Sequence, residues 1–293
     1  MADFLRSEIT PVNDYRAELG ETPVWCDRSQ SLLWVDINRR RLLRYWPSRR
    51  ETEIRNLPTV TSAVLLTDKD EVFLLAAHQG IATYDYASGE ITVLCDYPEE
   101  TSKTRPNEAA IAPDGSLWFG TMDLTEGEPI GAWYRFAAGD AAPEMMMDKL
   151  TIPNTLVWHE NRVWFADSDA KRFYSGNGKR INPRTLSCYS SGELTPDGST
   201  LTTGGRLINA CFGHHCLFTY QINEGELLAE EAIPLPVTQP SCCTFGGPER
   251  KTLFITSARK GMENPDALEG ALLQVETSET GMPQHRFILP ASH

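Results

Sequence analysis

Pro113-Asp-Gly-Ser-Leu117-Trp-Phe-Gly120 is a turn followed by a short apolar strand that ends in a small residue. The same plan recurs at Leu33-Trp-Val-Asp36, Val72-Phe-Leu-Leu75, Val163-Trp-Phe-Ala166, Leu207-Ile-Asn-Ala210 and Leu253-Phe-Ile-Thr256. Successive copies start 39 to 46 residues apart, and such a period, built from short strands and Gly/Asp/Asn turns, marks propeller blades. Six copies predict an all-β, six-bladed β-propeller with a central channel. A closed ring gathers equivalent positions of every repeat around one axis. Polar residues at the same phase of different repeats therefore meet in space.

Each anchor strand is followed by a turn and a second run of alternating pattern. These runs are Arg41 to Trp46, Gly80 to Asp85, Gly131 to Phe136, Lys171 to Tyr174, His215 to Tyr220 and Gly270 to Val275. Period-two alternation offers one face of each strand to each neighbouring blade. A short strand from Glu8 to Val12 is expected to pair with the last blade and close the ring, which removes the exposed edges of an open array. No amphipathic helix of useful length is present; Asp148–Leu150 and Asn264–Leu268 are the only helix-tolerant patches. The repeat runs without a linker, so residues 1–293 are expected to form one propeller domain.

The bulk numbers narrow the partners. An apolar fraction of 41% suffices for a sizeable core. A net charge of −13, from 27 basic and 40 acidic residues, argues against nucleic acid, which needs a basic footprint. The first eight residues contain no apolar signal-like run, and no stretch approaches the roughly 20 apolar residues of a membrane span. Seven cysteines without a disulfide-scaffold spacing suit a reduced, cytoplasmic protein. Cys211, Cys216 and the adjacent Cys242 and Cys243 read as buried thiols rather than zinc ligands. Ring closure makes a monomer or weak homo-oligomer the expected state.

The chemistry should sit just upstream of the anchors, where the innermost strands begin. Glu21, Asn107, Asn154 and Asp197 stand at nearly the same phase in four repeats, three of them directly after a proline. Ser62 and Ser241 hold the phase in the other two. A single Asn or Asp after proline is a turn residue. Four oxygen-bearing side chains in phase are better explained by a shared ligand at one mouth of the channel. Oxygen donors suit Ca²⁺, Mg²⁺ or Mn²⁺, and Zn²⁺ also accepts carboxylates. Three protein ligands would leave open positions for water and substrate. Arg105, two residues before Asn107, would supply a fixed cation for a substrate oxygen or for developing negative charge.

At these residues the chain resembles the SMP-30/gluconolactonase/regucalcin-like family of six-bladed propellers. The motifs are Leu19-Gly-Glu21-x-Pro-Val-Trp25, Leu33-Trp-Val-Asp-Ile37, Arg105-x-Asn107 and Pro113-Asp-Gly-x-Leu-Trp-Phe-Gly-Thr-Met122. They continue through Pro153-Asn154, Phe165-Ala-Asp-Ser168, Pro196-Asp-Gly198, Phe245-Gly-Gly247 and Thr256-Ser-Ala-Arg259, all in family order. The resemblance implies hydrolysis of a small-molecule sugar lactone at one divalent metal ion. It implies Glu21, Asn154 and Asp197 as metal ligands, and Asp197 also as the general acid/base. Arg105 and Asn107 would orient the substrate.

The chain departs from the family pattern at several places. Glu108 stands where Asp is common, and Thr22 and Thr155 stand where Gly is frequent. An acidic substrate contact found in some relatives aligns with Thr125, with Glu126 one place off. Phe212-Gly-His214-His215 replaces a Trp or Gly-Gly element. The adjacent histidines read as a turn, His78 as a loop residue, and Trp34, Trp118 and Trp164 as packing between blades. The leading function is a metal-dependent aldonolactone hydrolase. The alternatives are a non-catalytic propeller that binds a cation or metabolite for regulation, and a hydrolase of another ester or phosphoester.

Overall fold

A computed structural model describes residues 2–291, and it is almost entirely β-strand. Six four-stranded antiparallel sheets follow one another around a central channel, forming a six-bladed β-propeller. Each anchor motif lies in the second strand of its blade, as in Ser31–Asp36, Leu117–Asp123 and Arg162–Asp167. The innermost strands are Gly20–Cys26, Thr61–Leu66, Thr104–Ile111, Pro153–His159, Pro196–Leu201 and Pro240–Gly246. The alternating runs that follow the anchors form the third strands. The one helical element among the described residues is a 3₁₀ turn at Pro183–Thr185, outside both helix-tolerant patches.

The ring closes through the N-terminus. Thr10–Arg16 is the outer strand of the sixth blade and pairs antiparallel with Ala271–Glu276, Thr10 opposite Gln274 and Pro11 opposite Leu273. The closing strand thus lies slightly later in the chain than the pattern around Glu8 to Val12 suggests. Joining the first residues to the last blade prevents the ring from opening at one seam.

Blade contacts are dry and aromatic. Trp34, Trp118, Trp133 and Trp164 are among the largest fully buried side chains. Trp25 stacks on Phe254 across the seam between blades one and six, and Trp118 meets Trp158 edge-on between blades three and four. Inner strands pack closely enough that size matters: a Cβ at Gly198 would lie 2.3 Å from Cys242 Sγ. Only glycine fits there, so the residue after Asp197 sets how near blades five and six approach.

Residues after the last strand cross the end of the channel opposite the starts of the inner strands. Met282 N–H donates to Leu201 and Phe287 N–H to Leu66, so this tail bridges blades five and two. Phe287 is fully buried and stacks on Phe136 with centroids 6.0 Å apart. Nothing in the repeat pattern announces this plug. All seven cysteines are free thiols; Cys26, Cys211, Cys216, Cys242 and Cys243 are buried. Among the described residues no helix is long and apolar enough to cross a membrane.

Candidate metal-dependent active site

Two local devices aim the site residues into the channel. The first is an aspartate at the end of an anchor strand. Asp36 accepts from the N–H groups of Glu18 and Leu19, and Asp167 from those of Thr151 and Ile152. These bonds fix the turns that lead into Glu21 and Asn154. The second is a register shift in every inner strand. The irregularities fall between Glu21 and Val24, Thr61 and Ala63, Pro106 and Ala109, Asn154 and Leu156, Pro196 and Ser199, and Pro240 and Cys242. A bulge re-aims side chains out of the pleat. The bulges of blades one, three, four and five turn Glu21, Asn107, Asn154 and Asp197 toward the channel mouth.

Thr22 and Thr155, the departures from glycine, sit inside two of these bulges with φ of 48° and 50°. A β-branched residue is rare in that region. Each is held by its hydroxyl, which donates to the Ser62 carbonyl from Thr22 and to the Asp197 carbonyl from Thr155, at 2.9 and 2.6 Å. The bonds compensate the strain and stitch adjacent blades together.

Glu21, Arg105, Asn107, Asn154 and Asp197 all line one cavity of about 120 Å³ at the channel mouth. The serines at the same phase do not. Ser62 donates to Ala76 and Ser241 to the Gly20 carbonyl, so both knit strands together. A relay of hydrogen bonds links the rest. Arg105 Nη1 donates to Asn107 Oδ1 (3.1 Å), and Asn107 Nδ2 donates to Asn154 Oδ1 (3.2 Å) and the Pro153 carbonyl (2.9 Å). Asn154 Nδ2 donates to Ser168 Oγ (2.8 Å), which donates to the Pro196 carbonyl (2.6 Å). Both carboxamides are thereby fixed in orientation.

The carboxylates are not satisfied in this way. Glu21 Oε2 accepts from the Thr22 N–H, whereas Asp197 Oδ1 is buried and has no hydrogen-bond partner. Burial pushes the Glu21 carboxyl well above the usual range, helped by the nearby charges of Asp197 and Glu108. Burial, and then Glu108, does the same to Asp197. Two desolvated carboxylates side by side, one with an orphaned oxygen, lack positive charge. A divalent cation would supply it, and Glu21, Asp197 and the carboxamide oxygen of Asn154 fit a hard-metal donor set. Arg105 is also buried, which pulls its guanidinium below the usual range, with Glu126 the strongest of the surrounding negative charges.

Four wall residues were not expected from the sequence as site residues: Ser168, Thr195, Glu126 and Lys260. Ser168 lies within a quoted motif but carries no phase signal, and Lys260 lies in an irregular loop with none at all. Phe212 also contributes, at the start of the hairpin whose turn holds His214 and His215. His214 Nε2 is 3.3 Å from Thr195 Oγ1, on the pocket's rim. His78 stays away; its Nε2 bridges the carbonyls of Thr101 and Thr104. Glu108 lies beneath the site in the channel interior, where burial pushes its carboxyl up to about 7.

The profile of the SMP-30/Gluconolactonase/LRE-like region matches residues 19–259. The chain belongs to that family. Within reach of this SMP-30/gluconolactonase/LRE-like chain is the L-arabinolactonase of Azospirillum brasilense, 28% identical over 96% of this chain and 95% of the relative. The regucalcin of Danio rerio is 28% identical over 84% of this chain and 85% of its own. Among solved structures, the calcium-binding protein regucalcin from Agrobacterium tumefaciens superposes with a TM-score of 0.85 at 22% identity. It covers 94% of this chain and 96% of its own. A luciferin-regenerating enzyme gives the same TM-score and identity, over 96% and 99% of the two chains. At that identity the structural likeness establishes the family's propeller fold alone.

Proposed function

We propose that the chain is a metal-dependent lactonase that opens a sugar (aldono-)lactone to the free aldonic acid, carried out by one propeller domain. The observation that carries this reading is Asp197 Oδ1, buried without a partner beside Glu21 in a cavity that also presents Arg105 and Asn107. A protein that only stored a cation would close the donor set with protein oxygens and would not need a guanidinium and a carboxamide beside it. The name of the arabinolactonase relative supports the same reaction class.

Glu21, Asn154 and Asp197 would hold the cation. When bound, it polarises the lactone carbonyl and lowers the pKa of an associated water. Arg105 and Asn107 orient the ring and stabilise negative charge on the carbonyl oxygen as the water attacks. Asp197 takes one proton from that water and returns it to the ring oxygen as the C–O bond breaks. The products are one carboxylic acid and one hydroxyl, with all atoms of the water retained. Met122, Ile152 and Phe212 provide apolar walls against which a sugar ring can pack.

The test is proton release from a panel of five- and six-membered aldonolactones, using chelator-treated protein with and without Ca²⁺, Mn²⁺, Zn²⁺ or Mg²⁺. Metal-restored hydrolysis establishes the class and names the metal. A folded protein that binds metal yet hydrolyses none of the lactones would be a binding propeller.

A further inference from the structure

Lys260 and Glu126 form an ion pair across the pocket mouth. They come from loops of blades six and three, 134 residues apart in sequence. Both loops are held firmly. The Asp123 carboxylate accepts from the Thr125 hydroxyl and from the N–H groups of Thr125, Gly127 and Glu128, which wraps the chain around it. Those donors, the Thr125 hydroxyl foremost, pull the Asp123 carboxyl down to about 2. Glu126 sits in this wrap at a φ of 63°. On the other side, Arg259 donates to the carbonyls of Ala17 and Arg16, which anchors the residue before Lys260.

Glu126 shares the pocket wall with two cations, Arg105 and Lys260. Its carboxylate is paired with Lys260, and its charge is the strongest negative influence on the buried guanidinium of Arg105. Arg105 spends only Nη1 on protein acceptors, the Pro106 carbonyl and Asn107 Oδ1. Among the described residues its Nε and Nη2 donate to no protein oxygen, which leaves the fork that pairs bidentately with a carboxylate. The Lys260–Glu126 pair is about a third exposed on each side (36% and 40%), so an incoming anion can displace it at small expense.

We propose that Arg105 and Lys260 form a carboxylate-recognising subsite at the outer end of the pocket, with Lys260 paired to Glu126 in the free protein. The substrate class is then the lactone of a sugar acid that keeps a second, free carboxylate. Lys260 is the specificity-determining residue for that group. The inference rests on the lactonase reading for the word substrate, but the subsite itself is defined by anion binding.

Calorimetric titration of the metal-loaded protein with glucarate, gluconate and 6-phosphogluconate tests it without turnover. The diacid is expected to bind about tenfold more tightly than the mono-acid, the scale of one charge-assisted hydrogen bond. Lys260→Met should abolish that preference and Lys260→Arg should restore most of it, with melting curves reporting that both variants fold. Equal binding of diacid and mono-acid, or an equal loss for both in Lys260→Met, overturns the subsite. Tighter binding of the phosphorylated acid would assign it to phosphate and overturn the carboxylate. Hydrolysis of glucarolactone and gluconolactone in the same preparations separates the two readings. Lys260-dependent diacid preference without any lactone hydrolysis keeps the subsite and removes the lactonase. Hydrolysis without that preference does the reverse.

Discussion

Thr155 donates its hydroxyl to the backbone carbonyl of Asp197 at 2.6 Å, across the seam between blades four and five. The residue beside one expected metal ligand thereby fixes the main chain of another. Asn209 reinforces the junction, donating to the same carbonyl at 2.9 Å and to Thr155 Oγ1 at 3.2 Å. The distance between Asn154 and Asp197 is a property of two blades clamped together.

Thr155→Val keeps the branched side chain at positive φ but removes the hydroxyl. It should destabilise the fold by about 1–3 kcal/mol, the range for losing a buried hydrogen bond. Thr155→Gly loses the same bond and relieves the backbone, so it should be the milder change. Urea unfolding of the two variants checks the order; a Val variant as stable as the native protein would show that the hydroxyl does not hold the seam.

Asp197→Ala removes the proposed base and one metal ligand together. Turnover should fall by about a thousandfold or more. The metal-free protein should at the same time melt at a higher temperature, because a buried, unpartnered carboxylate has been deleted. Lactone hydrolysis and thermal unfolding of one preparation read both effects, and a near-native rate would remove Asp197 from the mechanism.

Stability should couple pH to metal. Glu21 and Asp197 have folded-state pKa values raised well above the ordinary carboxylate range, chiefly by burial. An unfolded chain releases these protons at about pH 4, the ordinary range for exposed Asp and Glu, whereas the folded metal-free site keeps them. The unfolded state therefore binds fewer protons above that pH, and metal-free stability falls as pH rises toward the folded values. Added cation displaces the protons, so the gain in melting temperature on adding metal should be larger at pH 8 than at pH 5. A gain independent of pH would contradict ligation by these two groups.

Phe287→Ala should lower stability by about 3–5 kcal/mol, since a fully buried aromatic leaves a cavity against Phe136. The site lies at the other end of the channel, so KM for lactone should be unchanged. Denaturant midpoints and steady-state kinetics test the pair of expectations, and an altered KM would show that the plug communicates with the pocket.

Much of the molecule was legible before folding. Leu33-Trp-Val-Asp36 and its five counterparts place all six second strands, because an apolar core between blades needs the same buried positions every turn. Glu21, Asn107, Asn154 and Asp197 stood out by phase, and they share one cavity because a ring superimposes phases. Phase alone could not separate them from Ser62 and Ser241, whose short hydroxyls are consumed by neighbouring carbonyls. The closing strand was legible a few residues early, around Glu8 to Val12 rather than Thr10–Arg16, whereas the tail from 282 to 288 obeys no repeat and only its contacts reveal it.

The sequence by itself determined the repeat, the all-β architecture, and which oxygen-bearing residues stand at the start of each inner strand. Those are local matters of strand period, turn chemistry and spacing, written residue by residue. The tertiary structure alone decided that Asp197 Oδ1 is left without a partner, that Thr155 is clamped to Asp197, and that Lys260 meets Glu126 in the cavity wall that Arg105 shares. These depend on burial and on the approach of segments up to 134 residues apart. Spacing along a chain does not encode desolvation or distance across a channel until the ring has closed.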